Sequence, residues 1–322
     1  MKKIGVITSG GDAPGMNACL KSVVDMASNL GYTVYAFRRG YTGVINNDYV
    51  ILNREDVSKI FNLGGSIIMS GRCLEFYQLS GPSKAAKVLN KLGIDTLIAI
   101  GGNGTYNGAN ELIKLGVKVI GIPATIDNDV YSTDESMGFD TAVNNAVQMI
   151  INIQSTMRAN ERVALIETMG RLAGDIALYS AMASESDILL VPEDKKTEDE
   201  ILELVKDEIE RGNSSPTVVL AEKQFDLNKL NKRIQDETGK ECRSIILGYM
   251  QRGGSPTVND RFLAIRYGVS AVQFISQGIS NVVIGVRDDR VVTTPIADAV
   301  NLKSNFRADL YGLFKELHRM EH

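Results

Sequence analysis

The chain has 322 residues, 44% hydrophobic and 23% charged, with a formal net charge of −4. That is a folded chain long enough for two cored lobes, and it excludes pervasive disorder. The acidic balance argues against nucleic acid as a partner, but a few converging arginines would suffice to hold an anionic metabolite.

In chain order, an apolar run over 3–8 reads as a first strand, because Ser9-Gly10-Gly11-Asp12 ends it too soon for a signal peptide. Helical spacing follows over 13–30, then a strand over 33–37 and a helix over 83–92. Leu97-Ile98-Ala99-Ile100 marks a strand over 96–100 buried on both faces. It runs into the glycine turn Gly101-Gly102-Asn103-Gly104-Thr105, followed by a helix from 108 to 115. A strand over 117–122 empties into Ala124-Thr125-Ile126-Asp127-Asn128-Asp129. One long helix is expected within 139–158, its apolar spacing clearest over 142–157, and it would carry the chain from one lobe to another. Beyond it come strands over 162–167, 188–191, 217–221 and 282–287, with helices over 198–210 and 261–277.

This alternation predicts βαβ units and mostly parallel sheets with helices on both faces. The expected fold is α/β with two Rossmann-like lobes and an active site in the cleft between them. The larger lobe is placed at 1–138 plus about 252–304. The smaller lobe takes 139–251 plus about 305–322.

The residue inventory narrows the chemistry. The histidines, His318 and His322, lie in a C-terminal tail, so imidazole catalysis and His-ligated metals are not expected. Cys19, Cys73 and Cys242 have no Cys-x-x-Cys spacing, which suits a reducing compartment better than a disulfide framework. No apolar stretch is long enough to span a bilayer, and a cytoplasmic location without membrane contact is expected. Carboxylates, arginines, hydroxyls and backbone amides are left to do the work.

Two glycine turns close strands and open helices, at 9–17 and at 101–105, where α/β sheets bind ligands and backbone N–H groups can cradle phosphate. Neither turn has the Gly-Lys-Ser/Thr of a Walker A loop. The second reaches Asn107 where a dinucleotide fingerprint needs its third glycine. A carboxylate beyond the next strand can take a proton from an attacking hydroxyl. Taken alone, Asp127-Asn-Asp129 reads first as an Asx-rich turn.

Four motifs stand out: Thr8-Ser-Gly-Gly-Asp12-Ala-Pro-Gly-Met-Asn17, Thr125-Ile-Asp-Asn-Asp129, Met169-Gly-Arg171 with Ala173-Gly-Asp175, and Gln251-Arg-Gly-Gly-Ser-Pro256. In order and spacing they resemble those of the ATP-dependent 6-phosphofructokinases of the bacterial type. The resemblance implies a glycolytic kinase that moves the γ-phosphate of ATP, with Mg²⁺, to O1 of fructose 6-phosphate. Asp127 is implied as base and Asp129 as its orienting partner. Thr125, Arg171 and the Gly11 amide would stabilise charge on the moving phosphoryl group. Arg162, Arg243 and Arg252 would hold the sugar phosphate, the first two reaching in from a neighbouring subunit of a homotetramer. Ile126, Met169, Gly170, Glu222 and Tyr249 fall at further sugar-site positions. Tyr41, Arg72, Cys73, Gly102, Asn103, Gly104 and Thr105 match ATP-site positions. Relatives that use pyrophosphate tend to carry Asp at the position of Gly104 and Lys at that of Ala124, so this chain favours ATP.

The departures are specific. Asn103 stands where an aspartate that engages Mg²⁺ is usual, and an amide oxygen ligates without adding charge. Tyr249 replaces a usual histidine. The effector pocket keeps Lys21, Arg54 and Arg211, with Asp25, Gln154, Asn213, Ser214 and Ser215 where cations are typical, and weak regulation by ADP or phosphoenolpyruvate is expected. The alternatives are a kinase of tagatose 6-phosphate or sedoheptulose 7-phosphate, or a weakly active or non-catalytic regulatory paralogue.

Overall fold

In the computed structural model the described residues are 2–302 and 306–320, so His322 lies outside them. Eleven strands among these follow in chain order: β1 (Lys3–Thr8), β2 (Thr33–Phe37), β3 (Tyr49–Leu52), β4 (Thr96–Gly101), β5 (Lys118–Pro123), β6 (Val163–Thr168), β7 (Ile188–Leu190), β8 (Thr217–Ala221), β9 (Cys242–Ile246), β10 (Val282–Arg287) and β11 (Arg290–Pro295). The chain divides into two compact units, Met1–Thr141 with Arg252–Ser304 and Ala142–Gln251 with Asn305–His322.

The first unit is built on a seven-stranded sheet of order β11-β10-β5-β4-β1-β2-β3. Its inner strands are parallel, and the two edge strands, β3 and β11, run antiparallel to their neighbours. Burial on both faces explains the apolar runs: every residue of β4 is buried. Leu97 and Ala99 join one core with Ile7, Phe37, Leu89, Leu112 and Val119. Ile98 and Ile100 point to the other face by the two-residue period of a strand, and helices Met16–Asn29 and Val258–Ser276 pack together in the same unit. Chain order reverses between β1 and β4, so the loops that follow these two strands flank the switch point where such sheets bind ligands.

The second unit holds a four-stranded, all-parallel sheet of order β7-β8-β6-β9. Two of its strands lie to one side of β6 and one to the other, which makes the loop after β6 its switch-point loop. The long helix, Phe139–Ala159, begins in the first unit and ends in the second. Its first turn is capped by the buried Asp260, whose carboxylate accepts from Gly138 N (2.6 Å), Thr141 N (2.9 Å) and Thr141 Oγ1. The cap ties the start of this helix to the first unit, which runs to Thr141.

Three strands, β3, β9 and β11, were not expected from the sequence; all are sheet edges. The expected helix at 108–115 in fact runs from Asn103 to Lys114, with Gly102 as its cap. The glycine turn is therefore mostly the first turn of a helix.

Candidate active site

In the first unit the two glycine loops touch. Ser9 N donates to the Ile100 carbonyl (2.9 Å), and Thr105 Oγ1 donates to the Ser9 carbonyl (3.3 Å). Gly101 makes this possible, because a Cβ there would lie 2.3 Å from Thr105 Oγ1 and 2.5 Å from Ser9 O. A loop that the sequence did not place, 63–72, wraps the first of these turns. Thr8 Oγ1 donates to Met69 O (2.9 Å), and Gly10 N donates to Gly71 O (3.1 Å), which brings Arg72 alongside. Buried Asn17 fixes the same loop from the helix, donating to Leu63 O and Gly64 O and accepting from Ile67 N. Its place in the first motif is thus structural; a polar amide inside an apolar helix face is the sequence signal for it.

The second glycine loop is tied to the acidic loop. Ala124 N donates to Gly101 O (3.0 Å), and Asn103 Nδ2 donates to the Asp129 carbonyl (2.8 Å). A Cβ on Gly102 would rest 3.5 Å from that of Thr125. The acidic loop then folds on itself. Asp127 N donates to Thr125 Oγ1, Ser136 Oγ donates to Thr125 O, and Ser136 N donates to Asn128 Oδ1. Asn128 takes a left-handed backbone (φ 53°), a conformation asparagine tolerates. Asp127 is 2% exposed, Asp129 is half-buried, and Ile126 is fully buried, its side chain serving the core.

Around the Asn103 turn, Tyr41 is buried, stacked on Phe76 at 4.1 Å, and donates its hydroxyl to Thr105 O (2.6 Å). Burial pushes its phenol well up from the usual range. Tyr41 therefore braces the turn from below. Half-buried Cys73 packs against the same core as a wall residue. Gly104 is exposed, and a Cβ there would meet nothing within 4 Å. Arg252 lies over Gly11: its Nη1 donates to Asp12 O (2.8 Å) and sits 2.4 Å from where a Gly11 Cβ would be.

In the second unit the loop after β6 carries Met169, Gly170 (φ 143°) and Arg171 (φ 58°). Arg171 N donates to Glu222 Oε1 (2.9 Å), which commits half of that carboxylate to the loop. Tyr249 is 82% exposed on the short turn Gly248–Met250. Arg162 and Arg243 are elsewhere. Both pair with Glu241 at the amino ends of β6 and β9, whereas Met169, Arg171 and Glu222 follow the carboxyl ends of β6 and β8. From Arg162 to Met169 the strand rise of ~3.3 Å per residue gives roughly 23 Å.

The three cations retained at effector positions are all engaged within the chain. Lys21 pairs with Asp25 (2.6 Å), Arg54 donates to Asp25 O (3.1 Å) and to Asn29, and Arg211 pairs with Glu208 (3.0 Å). An added anion would have to displace these contacts.

Among the described residues no three His, Cys, Asp or Glu side chains gather as a metal cage, and no helix is long and apolar enough to cross a membrane. The donor set does fit a magnesium ion carried by a polyphosphate, since Mg²⁺ takes most of its ligands from phosphate and water and needs one or two protein oxygens. Asp129 and Asn103 Oδ1 supply oxygens of that kind.

A family model described as "Phosphofructokinase" matches residues 3–275. The chain is 42% identical over 319 residues to the ATP-dependent 6-phosphofructokinase 1 of Clostridium perfringens, covering 99% of this chain and all of that protein. It is 43% identical over 317 residues to the ATP-dependent 6-phosphofructokinase of Clostridioides difficile, covering 98% of this chain and 99% of that protein. Among solved structures, phosphofructokinase from Saccharomyces cerevisiae superposes with a TM-score of 0.88 at 28% identity, over 98% of this chain and half of the yeast chain. A pyrophosphate-dependent phosphofructokinase from Marinobacter aquaeolei shares the fold, with a TM-score of 0.85 at 21% identity over 96% of this chain and 86% of that one.

Proposed function

The chain belongs to the phosphofructokinase family, and from that premise we infer how its residues divide the work of an ATP-dependent 6-phosphofructokinase. The reaction transfers the γ-phosphoryl group of ATP to O1 of fructose 6-phosphate, giving fructose 1,6-bisphosphate and ADP. The O1–P bond forms, the bond from the γ-phosphorus to the β–γ bridging oxygen breaks, and the O1 proton passes to Asp127.

One observation carries the assignment: the hydrogen bonds from Asn103 to Asp129 and from Ala124 to Gly101 lock the acidic loop onto the glycine turn. A base within reach of a phosphate cradle is what in-line phosphoryl transfer asks of a protein that does little covalent chemistry itself. Asp127 serves as base, with Asp129 steadying the loop that carries it. The Gly11 amide, Thr125 and Arg171 stabilise the transferring group. The amide turn at Gly102–Thr105 and Arg72 hold the polyphosphate, and Tyr41 supports that turn. Bound Mg²⁺ would neutralise charge on the phosphate oxygens, with Asn103 Oδ1 and Asp129 on the protein side.

Met169, Gly170, Glu222, Tyr249 and Arg252 hold the sugar phosphate. Arg162 and Arg243, at the far end of their sheet, serve a neighbouring copy's site, so the working enzyme is an oligomer, by resemblance a homotetramer. Its three cysteines are free, in keeping with a cytoplasmic enzyme.

The test is a coupled assay of purified protein with ATP and Mg²⁺ against fructose 6-phosphate, tagatose 6-phosphate and sedoheptulose 7-phosphate. Fructose 6-phosphate is expected to give the highest kcat/KM. Preference for another sugar would contradict the substrate assignment, and no turnover with any sugar would contradict the kinase assignment.

A further inference from the structure

The loop after β6 is held by side chains from every other strand of its sheet. Glu193, following β7, accepts from Gly174 N (3.0 Å). Glu222, following β8, accepts from Arg171 N (2.9 Å). Gln251, following β9, accepts from Met169 N (3.3 Å). Only Ala173 N finds its partner within the loop, the Gly170 carbonyl at 2.9 Å. A backbone with φ of 143° at Gly170 and 58° at Arg171 would otherwise relax toward commoner conformations.

Gln251 differs from the two glutamates in being fully buried and in bonding on both sides. Its Oε1 takes the Met169 N–H, while its Nε2 donates to Gly248 O (3.2 Å). Its own backbone N donates to the same carbonyl (3.2 Å), and its carbonyl accepts from Asn145 Nδ2 (3.2 Å). One buried amide thus spans two segments: the Met169–Arg171 loop and the Gly248–Met250 turn that presents Tyr249. A primary amide, with an acceptor and a donor on one planar head, suits that bridge; a carboxylate or an alkyl group of the same length does not.

We propose that Gln251 is a positioning residue for phosphosugar recognition, setting the spacing between the Met169–Arg171 loop and the turn that carries Tyr249. This rests on the functional reading above. Losing the bridge leaves both segments folded and misplaced, so its effect falls on the sugar phosphate and spares the nucleotide.

The experiment measures KM for fructose 6-phosphate, KM for ATP, kcat and Tm for the wild type, Gln251→Glu and Gln251→Leu. Gln251→Glu keeps the acceptor for Met169 and sets an oxygen against Gly248 O; Gln251→Leu loses both bonds. At about 1 kcal/mol per buried hydrogen bond, the sugar-phosphate KM should rise roughly fivefold in the first and 20-fold or more in the second. KM for ATP should stay within about twofold, since the nucleotide residues lie in the other unit. If Gln251→Leu does not fold, Gln251→Glu alone decides. An unchanged sugar-phosphate KM, or a KM for ATP rising in step with it, overturns the proposal while the wild type turns over normally. A wild type without turnover removes the functional reading itself.

Discussion

Asn103 shows what a single side chain can trade. Its Nδ2 donates to the Asp129 carbonyl, a bond no carboxylate at that position could make, since two acceptor oxygens would face each other. The residue that looked from the sequence like a weakened metal contact is also the tie between the glycine turn and the acidic loop. Two readings of it give opposite orders. If the tie matters most, hydrogen exchange of the 124–130 amides in metal-free protein should be slowest in the wild type, faster in Asn103→Ala and fastest in Asn103→Asp. Turnover should follow, with Asn103→Ala about fivefold down for one hydrogen bond. If it stands in for a metal ligand, Asn103→Asp should instead bind Mg²⁺ more tightly and match or exceed the wild type. The tie was hidden in the sequence because Asn103, Gly104 and Asn107 are poor helix formers, so periodicity begins only at 108. Tertiary hydrogen bonds with Tyr41 and Asp129 hold the helix start five residues sooner. The acidic loop itself was legible, since Thr125-Ile-Asp127-Asn-Asp129 keeps its spacing after an apolar strand.

At the scale of elements, the parallel strands were readable because burial on both faces leaves an unbroken apolar run. The edge strands were not. β3 and β9 are short and half-covered, and β11 follows a two-residue hairpin turn, Asp288-Asp289, with φ of 47° and 56°. Positive φ at both positions is the geometry usually announced by Asn-Gly or Asp-Gly, so two aspartates gave no warning. The cap on Phe139–Ala159 was equally silent, its donor and acceptor lying 119 residues apart. Burial pushes the Asp260 carboxyl up to about 6, against three hydrogen bonds that pull the other way. The folded state then binds the proton more tightly than the unfolded state. This contribution to stability is complete below about pH 4 and is lost as pH rises through about 6, a swing of roughly 3 kcal/mol by linkage. Urea unfolding at pH 4, 5, 6 and 7 should show Asp260→Asn less stable than the wild type at pH 4, because an amide loses one acceptor and does not titrate. The gap between the two should narrow from pH 4 to pH 7, and a gap that stays constant or widens would contradict the shift.

For the molecule as a whole, the proposed assembly rests on Arg162 and Arg243. They sit together on Glu241, roughly 23 Å along the strand from Met169, so one chain cannot bring both sets to one sugar phosphate within this sheet. That they lie far from Met169 and Glu222 was not legible in the residues themselves, since one arginine at the start of a strand looks like any other. Separately purified Arg162→Ala and Asp127→Ala proteins should each be weak, the first by about 10- to 100-fold for a lost charged contact. Mixed oligomers formed by co-expression should exceed the sum of the two parents, because some sites pair an intact Asp127 with a partner's intact Arg162. Activity equal to that sum would place the arginine in its own chain's site. The proposed mechanism places the O1 proton on the carboxylate of Asp127. The direct measurement is the steady-state turnover of Asp127→Asn, a change that keeps the side chain's shape and removes its basicity. With Asp127 as the base, kcat should fall by roughly 10²–10⁴ with KM for both substrates within a few-fold of wild type. A variant that retained wild-type kcat would contradict it.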